Sequence, residues 1–134
     1  MTYLDSSAIV KLIRRENGSE SLHAAARDWD HVASSALGRI EVLRAVRRRG
    51  GPDLLDRATQ VLESLFLIPM DNDIIGLAAE LDPPGLRTLD SIHLASALSL
   101  GDPLERLVTY DHRLADAADR VSIPVFSPGA KDSS

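Results

Sequence analysis

The stretch Thr2-Tyr3-Leu4-Asp5-Ser6-Ser7-Ala8-Ile9-Val10-Lys11-Leu12-Ile13-Arg14 decides the fold. Tyr3-Leu4 reads as the centre of a first strand. Ser6 or Ser7 can cap the helix that follows through Arg14, with Ala8, Ile9, Leu12 and Ile13 on its apolar face. A single acid, Asp5, stands between strand and helix. A similar passage recurs near the other end, where the strand Leu107-Val108-Thr109-Tyr110 is followed by Asp111 and a short helix from His112 to about Ala118.

Between these two passages the chain keeps alternating. Asn17-Gly18 breaks the first helix, and Ser19 offers a cap for a second through about Arg27, carrying Leu22, Ala25 and Ala26. His31-Val32-Ala33-Ser34 is a short strand. Ser35 opens a helix in which Leu37, Ile40, Leu43 and Val46 recur at helical spacing. Gly50-Gly51-Pro52 ends it and starts another through about Ser64, with Leu55, Ala58, Val61 and Leu62 inward. Phe66-Leu67-Ile68 is a third strand closed by Pro69, and Asp71 caps a helix through Leu81. Asp82-Pro83-Pro84-Gly85 is a turn. Thr88 caps the next helix, with Leu89, Ile92, Ala95, Leu98 and Leu100 directed to the core. Ile123-Pro124-Val125 reads as an edge strand, and fraying is expected from about Pro128.

Strands separated by helices need crossover connections, hence a mostly parallel sheet covered on both faces. The expectation is one three-layer α/β/α domain over residues 1–134, with about five strands.

Composition narrows the function. Hydrophobic residues at 44% and charged residues at 26% are those of a soluble globular domain, and the longest apolar runs are far too short to span a bilayer. No cysteine is present, which excludes disulfides and thiolate zinc sites and makes a reducing cytoplasm the expected location. His23, His31 and His112 show no zinc-ligand spacing, and no glycine-rich phosphate loop is present. A net charge of -5 argues against nonspecific coating of nucleic acid. Lysine occurs only at Lys11 and Lys131, and the arginines cluster at Arg14-Arg15 and at Arg44 with Arg47-Arg48-Arg49. Such clusters are either a solvated helix face or a phosphate-contacting rim.

Four acids carry the chemistry: Asp5, Glu41, Asp90 and Asp111. Asp5 and Asp111 close different strands, while Glu41 and Asp90 lie in the first turns of helices. In an alternating α/β fold these positions face one crevice. Two carboxylates about 4 Å apart repel by roughly 4 kcal/mol at an effective dielectric of 20. A bound Mg²⁺ or Mn²⁺ removes that penalty, because hard cations take oxygen ligands. An ion held this way and open to solvent suits phosphodiester hydrolysis. His93, three residues after Asp90 on the same helical side, could approach the pocket, and a packed or interfacial role is the preferred reading.

Four blocks resemble the signature blocks of PIN-domain nucleases: Tyr3-Leu4-Asp5-Ser6-Ser7-Ala8, Ser35 to Arg44, Leu86 to Leu98, and Val108 to Leu114. Their order and the chain length are most similar to single-domain VapC-type toxins of toxin–antitoxin pairs. The resemblance implies a PIN-like fold and a Mg²⁺- or Mn²⁺-dependent endoribonuclease that leaves a 5′-phosphate and a 3′-hydroxyl. It implies metal contacts from Asp5, Asp90 and Asp111, some through water, with Glu41 holding metal-bound water or acting as a base. A small polar residue after the first aspartate often supports the site, here Ser7 or Ser6, with Ser6 the one read as a helix cap. Asp116 stands where some members carry another acid. The resemblance further implies a homodimer silenced by a small VapB-like antitoxin. Arg14, Arg15, Arg47 and Arg48 are then expected to contact either RNA or an acidic antitoxin segment.

Two other readings compete. Aspartyl-phosphate phosphatases and receiver domains also place acids at strand ends around Mg²⁺, but by family analogy they need a lysine near the phosphoryl group. Lys11 lies in the first helix and Lys131 in the tail. The non-enzymatic alternative is a catalytically silent PIN-like partner-binding protein, a kind that typically loses members of the acidic quartet.

Overall fold

The computed structural model describes residues 1–130. Its element order is β1 (Thr2–Leu4), α1 (Ser6–Ile13), α2 (Ser19–Ala26), β2 (Val32–Ser35), α3 (Ala36–Arg49), α4 (Pro52–Glu63), β3 (Phe66–Ile68), α5 (Asn72–Glu80), α6 (Thr88–Ser99), β4 (Arg106–Val108), α7 (His112–Arg120) and β5 (Val125–Phe126). The five strands form one sheet in the order β3-β2-β1-β4-β5, and every pairing is parallel. The expected mostly parallel sheet is thus wholly parallel.

β1 lies at the centre, with Tyr3 opposite Ala33 on one side and Leu107 on the other. Strand side chains alternate between faces, so Tyr3 and Leu4 enter different cores. Tyr3, Ala33 and Leu107 pack with Ile74 of α5, Leu94, Ala95 and Ala97 of α6, and Leu114 and Ala117 of α7. Leu4 and Val108 pack with Ala8, Ile9 and Ile13 of α1, Leu22 of α2, Val42 and Val46 of α3, and Ala58 and Leu62 of α4. Each sheet face is therefore covered by helices, which is why short strands this apolar can be buried on both sides.

The chain leaves β1 towards β2 on one side, while β4 returns on the other. The sheet order reverses at the β1/β4 junction, and the crevice beyond the carboxyl ends of these two strands is the usual ligand position in open α/β sheets.

Local differences from the expected capping have clear causes. Asp5, not Ser6 or Ser7, caps α1: its Oδ1 accepts from the Ala8 amide at 3.0 Å. Ser19 is buried and donates to the Lys11 and Arg14 carbonyls, while Gly18 at φ +90° occupies the cap of α2. Arg87, not Thr88, is the N-cap of α6 and contributes no side-chain cap bond to its backbone. Asp71 caps α5 as expected, and Ser35, expected to open α3, is its N-cap.

Three apolar positions assigned to the core are at the surface: Ile40 is 55% exposed, and Leu55 and Leu89 are each 42% exposed. The face of α3 that is buried is instead Gly38, Val42 and Val46. The first residues of the tail expected to fray from about Pro128 pack against the domain. Pro128 is buried and its carbonyl accepts from the Tyr110 hydroxyl at 2.6 Å. Gly129 packs so closely on Gly18 that a Cβ there would sit 2.7 Å from Gly18 Cα. The rest of that expected tail, residues 131–134, lies outside the described residues.

Candidate active site

The crevice begins at the carboxyl end of β1. Asp5 is 4% exposed and both of its oxygens are engaged. Oδ1 accepts from the Ser7 hydroxyl at 2.6 Å and the Ala8 amide, and Oδ2 accepts from the Thr109 hydroxyl. Thr109 Oγ1 in turn accepts from the Asp111 amide at 3.0 Å, and Ser7 Oγ accepts from the Tyr110 amide at 3.1 Å. These bonds lock the ends of β1 and β4 together. Burial raises the Asp5 pKa, opposed by the nearby His93 and by the Ser7, Thr109 and Ala8 donors.

Asp111 caps α7, its Oδ1 accepting from the Arg113 and Leu114 amides at 2.9 and 3.2 Å. Its partial burial would raise its pKa, but those amides and Arg87 outweigh it and hold the carboxyl below its ordinary value. Asp90, in the first turn of α6, is 8% exposed and accepts from Arg87 Nε at 2.9 Å. The same guanidinium bonds Asp111 Oδ2 through Nη2. Asp90 and Asp111 therefore aim at one common point, and a cation already sits there.

Glu41 projects from α3. Its Oε1 accepts from the Ser6 hydroxyl at 2.7 Å and lies 2.9 Å from His93 Nε2. Burial would raise its pKa, yet the His93 and Ser6 bonds and the positive field of Arg87 lower it. His93 is 3% exposed, with Nδ1 2.7 Å from the Tyr3 hydroxyl. Burial raises the Tyr3 pKa strongly, so this phenol stays protonated. His93 is packed, as the preferred reading had it, and its ring also touches the acidic site, the approach that its spacing from Asp90 allowed. Ser6 likewise belongs to the site rather than to the α1 cap, and Thr109 and Arg87 are partners that sequence reasoning misses.

The quartet thus gathers at one end of the sheet, tied in two subsets: Asp5, Asp90 and Asp111 through Thr109 and Arg87, and Glu41 through Ser6 and His93. Among the described residues no three His, Cys, Asp or Glu side chains stand in metal-holding geometry. The donor set nonetheless fits a hard cation. All four acids offer oxygen, and Arg87 stands in for the charge that two of them require.

Asp116 is not part of this cluster. It lines a separate small depression with Pro83, Arg113 and Arg120. A larger groove of about 710 Å³ runs from Ser6, Ser7 and Glu41 between α1, α3 and α4. Leu37, Ile40 and Leu89 line it, which explains the exposure of the last two, and so do Arg14 and Arg48. Arg15 and Arg47 lie outside it, whereas Lys11, Arg44 and Arg49 join its wall. Lys11 Nζ also sits 4.6 Å from the centre of the Tyr110 ring. The Tyr110 hydroxyl is pushed up to about 12 by burial and the nearby Asp5.

With this geometry in place, the relationships of the chain become interpretable. The PIN domain family matches residues 2–120. Ribonuclease VapC47 of Mycobacterium tuberculosis is 40% identical over 134 residues, covering 97% of this chain and 98% of that protein. Ribonuclease VapC46 of the same species is 45% identical over 126 residues, covering 94% and 96%. Two solved structures share the fold: FitAcB from Neisseria gonorrhoeae, at TM-score 0.70 and 20% identity, and a toxin-antitoxin complex from Klebsiella pneumoniae, at 0.71 and 21%. Each covers 96% of this chain and is itself 98% covered. The chain belongs to the PIN-domain family, within its VapC group.

Proposed function

We propose that this chain is a Mg²⁺- or Mn²⁺-dependent endoribonuclease, the toxin of a toxin–antitoxin pair. The observation that carries the reading is the meeting of Asp5, Asp90, Asp111 and Glu41 at the β1/β4 crevice, in a chain at least 40% identical to proteins named ribonucleases over nearly full length. When bound, the ion supplies charge that polarises a phosphoryl oxygen and lowers the pKa of water. Asp90 and Asp111, which share Arg87, would hold it, with Asp5 as a third carboxylate fixed by Ser7 and Thr109. Glu41 orients the attacking water and takes its proton. Its lowered pKa keeps it ionised and ready to accept.

The groove is the expected path of the RNA backbone to Glu41. Its cations Lys11, Arg14, Arg44, Arg48 and Arg49 suit phosphate, and its apolar wall also suits an antitoxin segment. A VapB-like antitoxin and a homodimer belong to the same proposal. The catalytically silent alternative is distinguished by one experiment. The purified chain, freed of antitoxin, is incubated with total RNA and Mn²⁺, with a chelator control, and the new 5′ ends are mapped. Discrete metal-dependent cuts are expected. Intact RNA from a chain that is folded and metal-loaded would leave only partner binding.

A further inference from the structure

One buried group has no part in the proposed reaction, the imidazole of His93. It touches polar side chains from three other elements. Nδ1 is 2.7 Å from Tyr3 Oη, Nε2 is 2.9 Å from Glu41 Oε1, and Nε2 is 3.1 Å from Ser6 Oγ. The ring also stands edge-on to Tyr3, centroids 5.8 Å apart at 74°.

Hydrogen-bond logic fixes the arrangement. An ionised carboxylate only accepts, so Nε2 must carry a proton to bond Glu41. In the neutral ring Nδ1 then accepts, and the Tyr3 hydroxyl is the donor it meets. Glu41 Oε1 receives both the imidazole N–H and the Ser6 hydroxyl. No hydrogen bond reaches Oε2 among the described residues, while Glu41 itself lines the groove. One oxygen is therefore anchored in the protein and the other is presented.

The backbone makes room for this contact. A Cβ on Gly38 would come within 3.1 Å of His93 Cε1 and 3.4 Å of Ser6 Oγ and Ser34 Oγ. Glycine at this place, one helical turn before Glu41, lets α3 descend onto the ring of α6. The exposure of Ile40 follows from the same descent, because the buried face of α3 is the one that carries Gly38.

We propose that His93 is the positioning residue for Glu41, holding Oε1 so that Oε2 faces the crevice, with Tyr3 setting the imidazole tautomer. This rests on the ribonuclease reading for its kinetic consequence but not for its binding consequence. Residues that orient metal-site carboxylates commonly change affinity or activity by about 10- to 100-fold when removed.

The test compares His93→Leu, which removes the donor, with His93→Gln, whose amide can still donate to Glu41. Melting curves establish that each variant is folded. For His93→Leu, kcat for RNA cleavage should fall by about 10- to 100-fold with KM within about twofold, and the Mn²⁺ dissociation constant, read by calorimetry without RNA, should weaken by about tenfold. His93→Gln should stay within about threefold on both. In a Glu41→Gln background, His93→Leu should shift the Mn²⁺ dissociation constant by less than about twofold, since its partner is already altered. Equal impairment in the Gln and Leu variants, or effects that multiply in the double variant, would overturn the proposal and leave His93 as packing alone. A wild-type chain that binds Mn²⁺ but leaves RNA whole would end the ribonuclease reading, and the calorimetric cycle would still decide this one. A chain that does neither would end both.

Discussion

Arg87 at the N-cap of α6 is paired with Asp111 at the N-cap of α7, although α6 and β4 lie between them in the chain. A cation at a helix N-terminus opposes the helix dipole, and here it stands between two such termini. Asp90 and Asp111 make that position favourable. Their charges raise the Arg87 pKa, the Asp90 hydrogen bond contributing most.

Arg87 and a divalent ion compete for the same two carboxylates, so removing one should favour the other. Arg87→Ala is expected to lower the melting temperature of the metal-free chain and to tighten the Mn²⁺ dissociation constant by roughly fivefold, because exposed ion pairs are individually weak. The melting-temperature rise on adding Mn²⁺ should grow accordingly. Unchanged or weaker metal binding in Arg87→Ala would mean that the ion does not use Asp90 and Asp111.

Asp5 makes the opposite prediction for the metal-free fold. Its pKa is raised, so the folded state binds its proton more tightly than the unfolded chain does. The associated stability is present at acid pH and is lost as pH rises from the unfolded value, about 4, through the higher folded one. Asp5→Asn keeps an oxygen for the Ala8 amide and removes the charge. The metal-free melting temperature at neutral pH should therefore rise, by roughly 2 °C or more, while the Mn²⁺-induced rise disappears. A neutral-pH melting temperature that drops would show that ionised Asp5 stabilises the fold.

The strand-aspartate-helix passages at Asp5 and Asp111 are legible in the sequence because period and punctuation are local. Order and crossover direction then follow from general rules, and the sheet obeys them. The quartet is legible because strand ends and helix starts share an edge. What stays hidden depends on tertiary approach. Nothing in the period of α3 says that Gly38 will meet His93, so spacing alone directs Ile40 to the core. Thr88 and Ser6 have side chains suited to capping, but the carboxylate of Asp5 and the pull of Asp90 and Asp111 on Arg87 decide those termini. Arg47 misses the groove because neighbouring positions on α3 face different ways, and Arg15 misses it because it lies beyond the end of α1 at Ile13.

That difference among the arginines can be measured. Arg14 and Arg48 line the groove, while Arg47 does not. Each lost phosphate contact to a single strand should reduce the slope of log affinity against log salt by about 0.7. Arg14→Ala and Arg48→Ala are expected to show this reduction in RNA binding, and Arg47→Ala to retain the parent slope. Equal slopes for all three variants would remove the groove from the RNA path.

Asp111 serves two purposes that one substitution can confuse. Its Oδ1 caps α7 through the Arg113 and Leu114 amides, while Oδ2 faces Arg87. Asparagine is a good N-cap, whereas alanine forfeits about 1 kcal/mol. Asp111→Asn should thus melt close to the parent chain and Asp111→Ala roughly 3 °C lower, with metal-dependent cleavage lost in both. The lowered pKa of Asp111 adds a pH signature. Its stabilising charge is present above the unfolded value and is lost as pH falls through the folded one, so the parent should lose more stability than Asp111→Asn on acidification below about pH 4. Cleavage that survives in Asp111→Asn would confine this residue to the cap, because the amide reproduces the helix terminus but not the charge a cation needs.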